Sequence, residues 1–405
     1  MARRRHLRPP DLQPPRRGRG RGAGAAASRR PRVRRPHDPG ETGVTATSWQ
    51  SIHVHHHGTA TDRLIVEAVR PLSRELAVHG HRSWFTRHWR RGPHVRLHVD
   101  ADDRALREVV VPLTASVLEP YLPGLPTGEV DVEAVLPLHR RLARLELEDG
   151  PLTPWRPDNS WHVDRYDDRV AVHGTAEASA LTADFLTDTN DHAFAVLADV
   201  VAGGNLHAAV FDTMVALIRP GIDGPGAGHL SYRSHAEAHL AQAPDGERRR
   251  RAWDAHHRAN AAALEARLAA VLAGGDASAP YGPASFVAVL ERYQARGRRL
   301  HERGLLPLGV GVDGSATTDE VRTRFRELSP FHRALAENEH WLTVVRPSVE
   351  FALFRLSLNL MYLQFTRMGL SPENRYFLCH LVAGAAEARA GRTAVDVVPA
   401  LGAPA

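Results

Sequence analysis

The sequence predicts an α+β fold with a β-rich N-terminal lobe containing hairpins and a helical C-terminal lobe. Runs that alternate polar and apolar residues fall before about residue 175, and runs with helical periodicity dominate after it. Strands and helices thus segregate along the chain, which argues against a doubly wound sheet. A hairpin pattern over residues 83–99 adds to this: Trp84-Phe85-Thr86-Arg87-His88-Trp89 and His94-Val95-Arg96-Leu97-His98-Val99 flank a tight Gly92-Pro93 connection. The second run alternates strictly, so His94, Arg96 and His98 share one face and Val95, Leu97 and Val99 the other. The apolar face must pack on a core. The nitrogen-rich face is expected to line solvent or a pocket.

The remaining elements follow in chain order. Residues 1–44 are rich in Arg, Pro, Gly and Ala, cannot repay the entropy of ordering, and read as a disordered tail. Its basic side chains are arginine with no lysine, which fits an over-extended start in a GC-rich gene; residues 45–400 then form one domain. Ser51 to His57 alternates as a short strand, and Thr61 to His79 has helical periodicity. Asp102 to Pro120 is a helix capped by Asp102 or Asp103, and Val130 to Glu148 another, stopped by Gly150-Pro151. Trp161 to His173 alternates as a further strand or hairpin. Helices are then predicted over Ala176 to Thr187, Thr189 to Ala202, Leu206 to Ile218 and, as one long helix, Ala243 to Ala273. A loop over residues 274–284 precedes a helix from Ala284 to Glu302, a loop from Gly309 to Ala316 and a short helix from Asp319 to Glu327. Phe351 to Met368 is the last helix assigned, and no internal repeat appears.

Charge and cysteine usage exclude several function classes. Residues 1–40 hold 13 arginines against Asp11 and Asp38, a local balance of +11, so the +6 of the whole chain leaves −5 for residues 41–405. The basic character belongs to the tail and gives no support for nucleic-acid binding by the folded body. Cys379 stands alone, which excludes an intrachain disulfide and a cysteine-rich metal site. No run of about 18 apolar residues is present and the tail lacks a signal peptide's apolar segment, so a soluble cytoplasmic protein is expected. Neither a P-loop nor a dinucleotide glycine motif in strand–helix context appears, and the Gly-x-Ser-x-Gly elbow of a hydrolase is missing.

Trp49-Gln50-Ser51-Ile52-His53-Val54-His55, the helix carrying Asp62, Val69 and Pro71, and Gly92-Pro93-His94-Val95-Arg96-Leu97 together resemble the stand-alone C-terminal-type domain of lantibiotic dehydratases, the thiopeptide-type bacteriocin biosynthesis domain. Later segments look most like the thiopeptide pyridine synthases of that family. They are Gly150-Pro151-Leu152-Thr153-Pro154-Trp155-Arg156-Pro157-Asp158-Asn159-Ser160, Ser231-Tyr232-Arg233-Ser234-His235-Ala236-Glu237, Ser329-Pro330-Phe331-His332-Arg333 and Ser357-Leu358-Asn359-Leu360-Met361-Tyr362-Leu363. The resemblance runs from about Thr47 to Glu387. It implies an enzyme that joins two dehydroalanines of a ribosomally made peptide by a formal (4+2) cycloaddition, with loss of water and leader peptide. It also implies a dehydrated, azole-bearing precursor and other enzymes of the pathway as partners, and no metal, nucleotide or redox cofactor. Other branches eliminate glutamate from glutamylated Ser or Thr, or add amino acids from aminoacyl-tRNA, and a peptide-binding protein without chemistry is a further alternative. Eliminating members carry His-x-Arg-x-Arg in the hairpin; here the second arginine position is His98, mostly neutral at pH 7, which weakens that reading.

The residues themselves name candidates. Arg355, Asn359, Tyr362 and Thr366 recur at spacings of four, three and four along a hydrophobic helix, so they form one polar stripe facing either a cavity or a buried network. Tyr362 suits the donor and acid role that a reacting amide oxygen needs, and Asn359 can orient the amide. His235 is a candidate acid/base and Arg233 a candidate oxygen binder. Ser329 and His332 are candidates for a proton relay, the plainer reading being that Ser329-Pro330 caps a helix. His94, Arg96 and His98, with Arg355, are candidates for substrate contact, and Arg90 and Arg91, with Arg87 and Arg96, for a leader-binding patch. His53, His55 and His57 fall on one face of the first strand, a spacing that suits zinc, but no carboxylate partner is evident and no metal is assigned.

Overall fold

The computed structural model describes residues 49–219, 228–274, 279–308 and 317–401. The tail expected over residues 1–44, the loop from Gly309 to Ala316 and residues 275–278 of the loop over 274–284 lie outside the described residues. The fold is α+β, with a small antiparallel sheet in the N-terminal region and a helical C-terminal part.

Four strands, β1 (Trp49–His55), β2 (Ser83–His88), β3 (His94–Asp100) and β4 (Ser160–Asp164), form the sheet in the order β2-β3-β1-β4. The register sets His53 opposite both Arg96 and His162, and His98 opposite both Ser51 and Trp84. Alternation then puts Ile52, Val54, Phe85, Val95, Leu97 and Val99 on one face, all fully buried. They share a core with α1, a helix over residues 61–78, through its Leu64, Ile65, Val69 and Leu72. α1 widens into a π turn at Ile65–Val69 just before Pro71, and the helix over residues 103–121 does so at Leu106–Val110 just before Pro112. Proline lacks the N–H that a regular α turn would use, and the wider turn accommodates its ring. At the hairpin tip Arg91 and Gly92 have φ of 61° and 104°. A Cβ on Gly92 would lie 2.7 Å from Nε2 of His57, so the turn admits only glycine there.

The helical part includes α2 (Ala176–Asp188), Asn190–Val201, Leu206–Ile218, α3 (His229–Gln242), Pro283–Glu302, α4 (Val349–Arg367) and α5 (Pro372–Ala390). Sheet and helices share one core: Phe85 stacks on Phe194 at 5.1 Å, and the buried guanidinium of Arg367 lies 5.3 Å from the Phe85 ring. Arg367 also donates to the Leu186 carbonyl (2.7 Å) and to Thr189 Oγ1 (2.9 Å), while its own carbonyl accepts from Arg87 Nε (2.9 Å). A Cβ on Gly297 would come within 2.5 Å of Leu356 Cδ2, so a glycine lets the helix Pro283–Glu302 press close against α4. Among the described residues no helix is long and apolar enough to cross a membrane.

Three expectations need correction. The alternation from Trp161 to His173 yields only β4 and then a helical turn at Val170–His173. Asp164, Asp167 and Asp168 accept from the backbone N–H of Arg165, Arg169 and Val170 at 2.8, 3.0 and 3.1 Å, and this local turn chemistry ends the strand. The long helix from Ala243 to Ala273 is two, Gly246–Ala259 and Ala261–Leu272, parted at Asn260, whose amide donates back to the His256 carbonyl at 2.8 Å. The polar sheet face is not open to solvent. His94, Arg96 and His98 are only 4%, 8% and 5% exposed, roofed by residues from the stretch 146–169 such as Glu148, Tyr166 and Arg169.

Candidate active site

A cavity of about 530 Å³ lies in the helical part. α4 supplies one wall because its four polar positions at helical spacing, Arg355, Asn359, Tyr362 and Thr366, all face into it. α4 starts at Ser348, whose Oγ accepts from Phe351 N at 3.1 Å. His235 of α3, Arg375 and Tyr376 of α5, Thr182 of α2, and His173 close the other sides.

On its wall Tyr362 Oη lies 2.8 Å from His235 Nδ1 and 3.4 Å from the buried Cys379 thiol. Arg375 sits over the Tyr362 ring at 4.7 Å and over the Tyr376 ring at 4.9 Å, a cation–π sandwich. Burial pushes the Tyr362 phenol well above its usual 10, helped by Cys379, and burial with the nearby Arg375 and Arg355 pulls the His235 imidazole down to about 4. At neutral pH the pair is a protonated phenol beside a neutral imidazole. Burial also raises the Cys379 thiol to about 12, so it is no nucleophile. No carboxylate lines the cavity among the described residues, and Arg355 makes no hydrogen bond or ion pair there. The exposed Asn359 amide is likewise without a protein partner among them. Two guanidinium groups, an amide, a neutral phenol and a neutral imidazole thus face a volume that can hold part of a peptide. They can bind a carbonyl or carboxylate oxygen and exchange a proton with it.

The other sequence candidates lie elsewhere. Ser329 caps the helix Pro330–Glu337, its Oγ accepting from His332 N at 3.3 Å and lying 2.8 Å from His332 Nδ1. His332 Nε2 in turn meets Ser234 Oγ at 3.0 Å, so this buried chain ends on α3 one residue from His235 without lining the cavity. Arg233 grips Glu387 of α5 through two bonds of 2.8 Å. Both contacts fix α3 and so aim His235. Arg90 and Arg91 bond the carbonyls of Asp149 and Pro154 and hold down the stretch over the sheet, and Arg87 pairs with Asp62. His94 and Arg96 bond one another at 3.2 Å, and His98 packs tilted against Trp84 with ring centroids 4.0 Å apart. None of these seven lines the cavity. Of the histidines on β1, His57 lies past the strand end against Trp155 at 5.3 Å, while His162 of β4 joins His53 and His55.

Arg375, Tyr376 and His173 were not read as site residues from the sequence. The Ser371-Pro372 cap-and-N1 pair that sets the phase of α5 was the available signal for the first two. His173 sits in the stretch that alternation assigned to a strand.

The family model described as lantibiotic biosynthesis dehydratase C-term matches residues 49–386. No curated protein matches. Among solved structures, TbtD, the pyridine synthase from thiomuracin biosynthesis, is 33% identical, the match covering 85% of this chain and 99% of that one with a TM-score of 0.67. TsrL is 18% identical over 88% of this chain and 99% of its own, with a TM-score of 0.62, a likeness of fold alone. The matched span takes in the whole sheet and nearly all of α5, and on that breadth the chain belongs to the lantibiotic biosynthesis dehydratase C-terminal family.

Proposed function

We propose that this chain is a pyridine synthase acting on a ribosomally made peptide. It would join two dehydroalanines in a formal (4+2) cycloaddition and release water and the leader peptide. The observation that carries the reading is the Tyr362–His235 pair at 2.8 Å on the wall of a cavity without carboxylates among the described residues, flanked by Arg355, Asn359 and Arg375. The 33% identity to the thiomuracin pyridine synthase over nearly all of that chain supports the reaction class.

The chemistry follows from those groups. The amide joined to one dehydroalanine gives up its N–H proton and gains one on oxygen, so that C=C–N=C–OH becomes a four-atom diene. Tyr362 donates to that oxygen and His235 returns the proton to the phenol, a shuttle between groups that are both neutral at pH 7. Arg355 or Asn359 holds the neighbouring carbonyl. The second alkene adds across the diene ends, forming two C–C bonds and a ring bearing the hydroxyl and the leader's amide nitrogen. Loss of water, then of the leader as its terminal amide, makes the ring aromatic; both are eliminations that need no oxidant. Holding the alkenes together supplies much of the rate.

The two arginines would also suit a glutamyl carboxylate, which keeps elimination as a second reading. Intact-mass analysis after mixing the protein with a dehydrated, azole-bearing leader–core peptide, without tRNA or nucleotide, separates the two. Free leader and a cyclised core with pyridine absorbance are expected. An unchanged mass, with loss of a glutamyl unit once a glutamylated peptide is supplied, would overturn the cyclisation and establish elimination. Binding without any mass change would leave a peptide-binding protein, and a tRNA requirement a ligase.

A further inference from the structure

The polar sheet face gathers histidines that the cavity chemistry does not use. β1 and β4 pair antiparallel with His53 directly opposite His162, and His55 follows two residues along the same face of β1. One ring nitrogen from each of His53, His55 and His162 lies within 4.8 Å of the other two. His55 is 1% exposed, and neither of its ring nitrogens has a hydrogen-bond partner. A buried imidazole with both nitrogens unmet is destabilising unless something satisfies it.

The neighbours sort these rings by role. His94 Nδ1 can only donate to the Gly92 carbonyl, 2.8 Å away, so its Nε2 lone pair is taken by Arg96 Nε–H at 3.2 Å. His94 is therefore spent. His53 Nε2 bonds Ser51 Oγ at 3.0 Å, which leaves Nδ1 directed toward Asp164 Oδ2 at 3.9 Å. The same carboxylate oxygen lies 3.6 Å from His162 Nε2, and the Asp164 side chain is 42% exposed. Three imidazoles thus converge with a half-exposed carboxylate at the solvent side, and a serine orients one of them, the kind of outer contact that metal-bound histidines use. Desolvation holds all three imidazoles neutral, the state in which they bind metal.

We propose that His53, His55 and His162 bind one divalent cation of the zinc class, with Asp164 or water as fourth ligand, and so clamp the edge strand β4 to β1. Three nitrogen donors select zinc, cobalt or nickel over magnesium or calcium, which take oxygen. Zinc–nitrogen bonds of about 2.0–2.1 Å in a tetrahedron bring ligand atoms about 3.4 Å apart, so the rings close in by roughly an ångström on binding. His162, on an edge strand, is the ring freest to move. The consequence reaches the cavity, because the chain runs from β4 through residues 165–169 to Val172 and His173 on the cavity wall. The proposal is independent of the reaction assigned to that cavity.

The test is titration of untagged, metal-stripped full-length protein with Co²⁺. One equivalent with the visible absorption of tetrahedral cobalt, displaced by Zn²⁺, is expected. His162→Ala should abolish the band while keeping the wild-type circular dichroism, and His57→Ala, a nearby histidine outside the cluster, should keep it. Ser51→Ala should weaken zinc about tenfold or more. X-ray absorption of the zinc-loaded wild type, which needs no variant, should show three imidazoles. No tetrahedral band, a band that survives His162→Ala, or fewer than three imidazoles on zinc would each overturn the site.

Discussion

Tyr362 and His235 meet at 2.8 Å, and burial moves them in opposite directions: the phenol well above 10, the imidazole to about 4. Neither carries charge across the neutral range, so a relay in which Tyr362 gives its proton to the substrate oxygen as His235 replaces it, taking the amide N–H proton in turn, leaves no net charge on the pair inside the cavity. A phenol that donates to the reacting amide oxygen helps only as charge develops there, so its loss should appear in the rate and not in binding. Tyr362→Phe keeps the ring under Arg375 and removes only the hydroxyl. It is expected to lower the cyclisation rate about 10²–10³-fold while peptide affinity stays at the wild-type value. Single-turnover mass analysis with a separate binding titration reads both. A rate within about twofold of wild type would remove Tyr362 from the chemistry. The stripe that carries Tyr362 was legible in the sequence because helical spacing alone aligns Arg355, Asn359, Tyr362 and Thr366. Arg375 was not, because its place over the Tyr362 ring depends on how α5 packs beside α4, which no local period encodes.

At the scale of elements, the stretch after residue 146 decides what the sheet's polar face becomes. Glu148, its side chain 4% exposed, takes Arg169 Nη1 at 2.7 Å and His88 Nε2 at 3.1 Å, with Arg90 Nη1 at 3.6 Å. Burial alone would raise its carboxyl, yet His88, Arg96 and Arg169 bring it down to about 2. Glu148→Gln keeps the shape and removes the charge, leaving a cluster of cations over a buried strand. The expected loss is about 3 kcal/mol, the lower end for breaking a buried pair because Arg90 and Arg169 are partly exposed. Urea unfolding would read it, with faster proteolysis in the stretch 146–160; an unchanged midpoint would mean the contact contributes nothing net. The hairpin itself was legible from strict alternation. The roof over it was not, since Glu148 lies nearly sixty residues from Arg90 and Arg91, which locally read as a free basic patch. The strand predicted as far as His173 failed for a related reason: aspartates that look like polar alternation bond the backbone and turn it.

At the scale of the whole molecule, an unusual number of histidines are buried in the neutral form. Burial leads in lowering each of them, and like charges add to it: to about 3 for His55 and His380, to about 4 for His192 and His332, and well below the usual value for His94 and His98. In the unfolded chain the same groups titrate near 6.5. Below pH 6.5 the unfolded state therefore takes up protons that the native state refuses, and stability falls as the pH is lowered. The stabilising contribution is complete above about pH 6.5 and continues to be lost down to the native values near 3–4. Between pH 6.5 and 5.5 each such group costs about 1 kcal/mol, so His55, His192, His332 and His380 together remove about 4 kcal/mol. That is a large share of the roughly 5–15 kcal/mol by which a folded domain is stable. Urea midpoints of the metal-stripped protein should therefore agree at pH 7.5 and 8.5 and drop steeply at 5.5. A midpoint that holds at pH 5.5 would mean these imidazoles protonate in place, and the neutral interior described for the sheet face and the cavity would have to be given up.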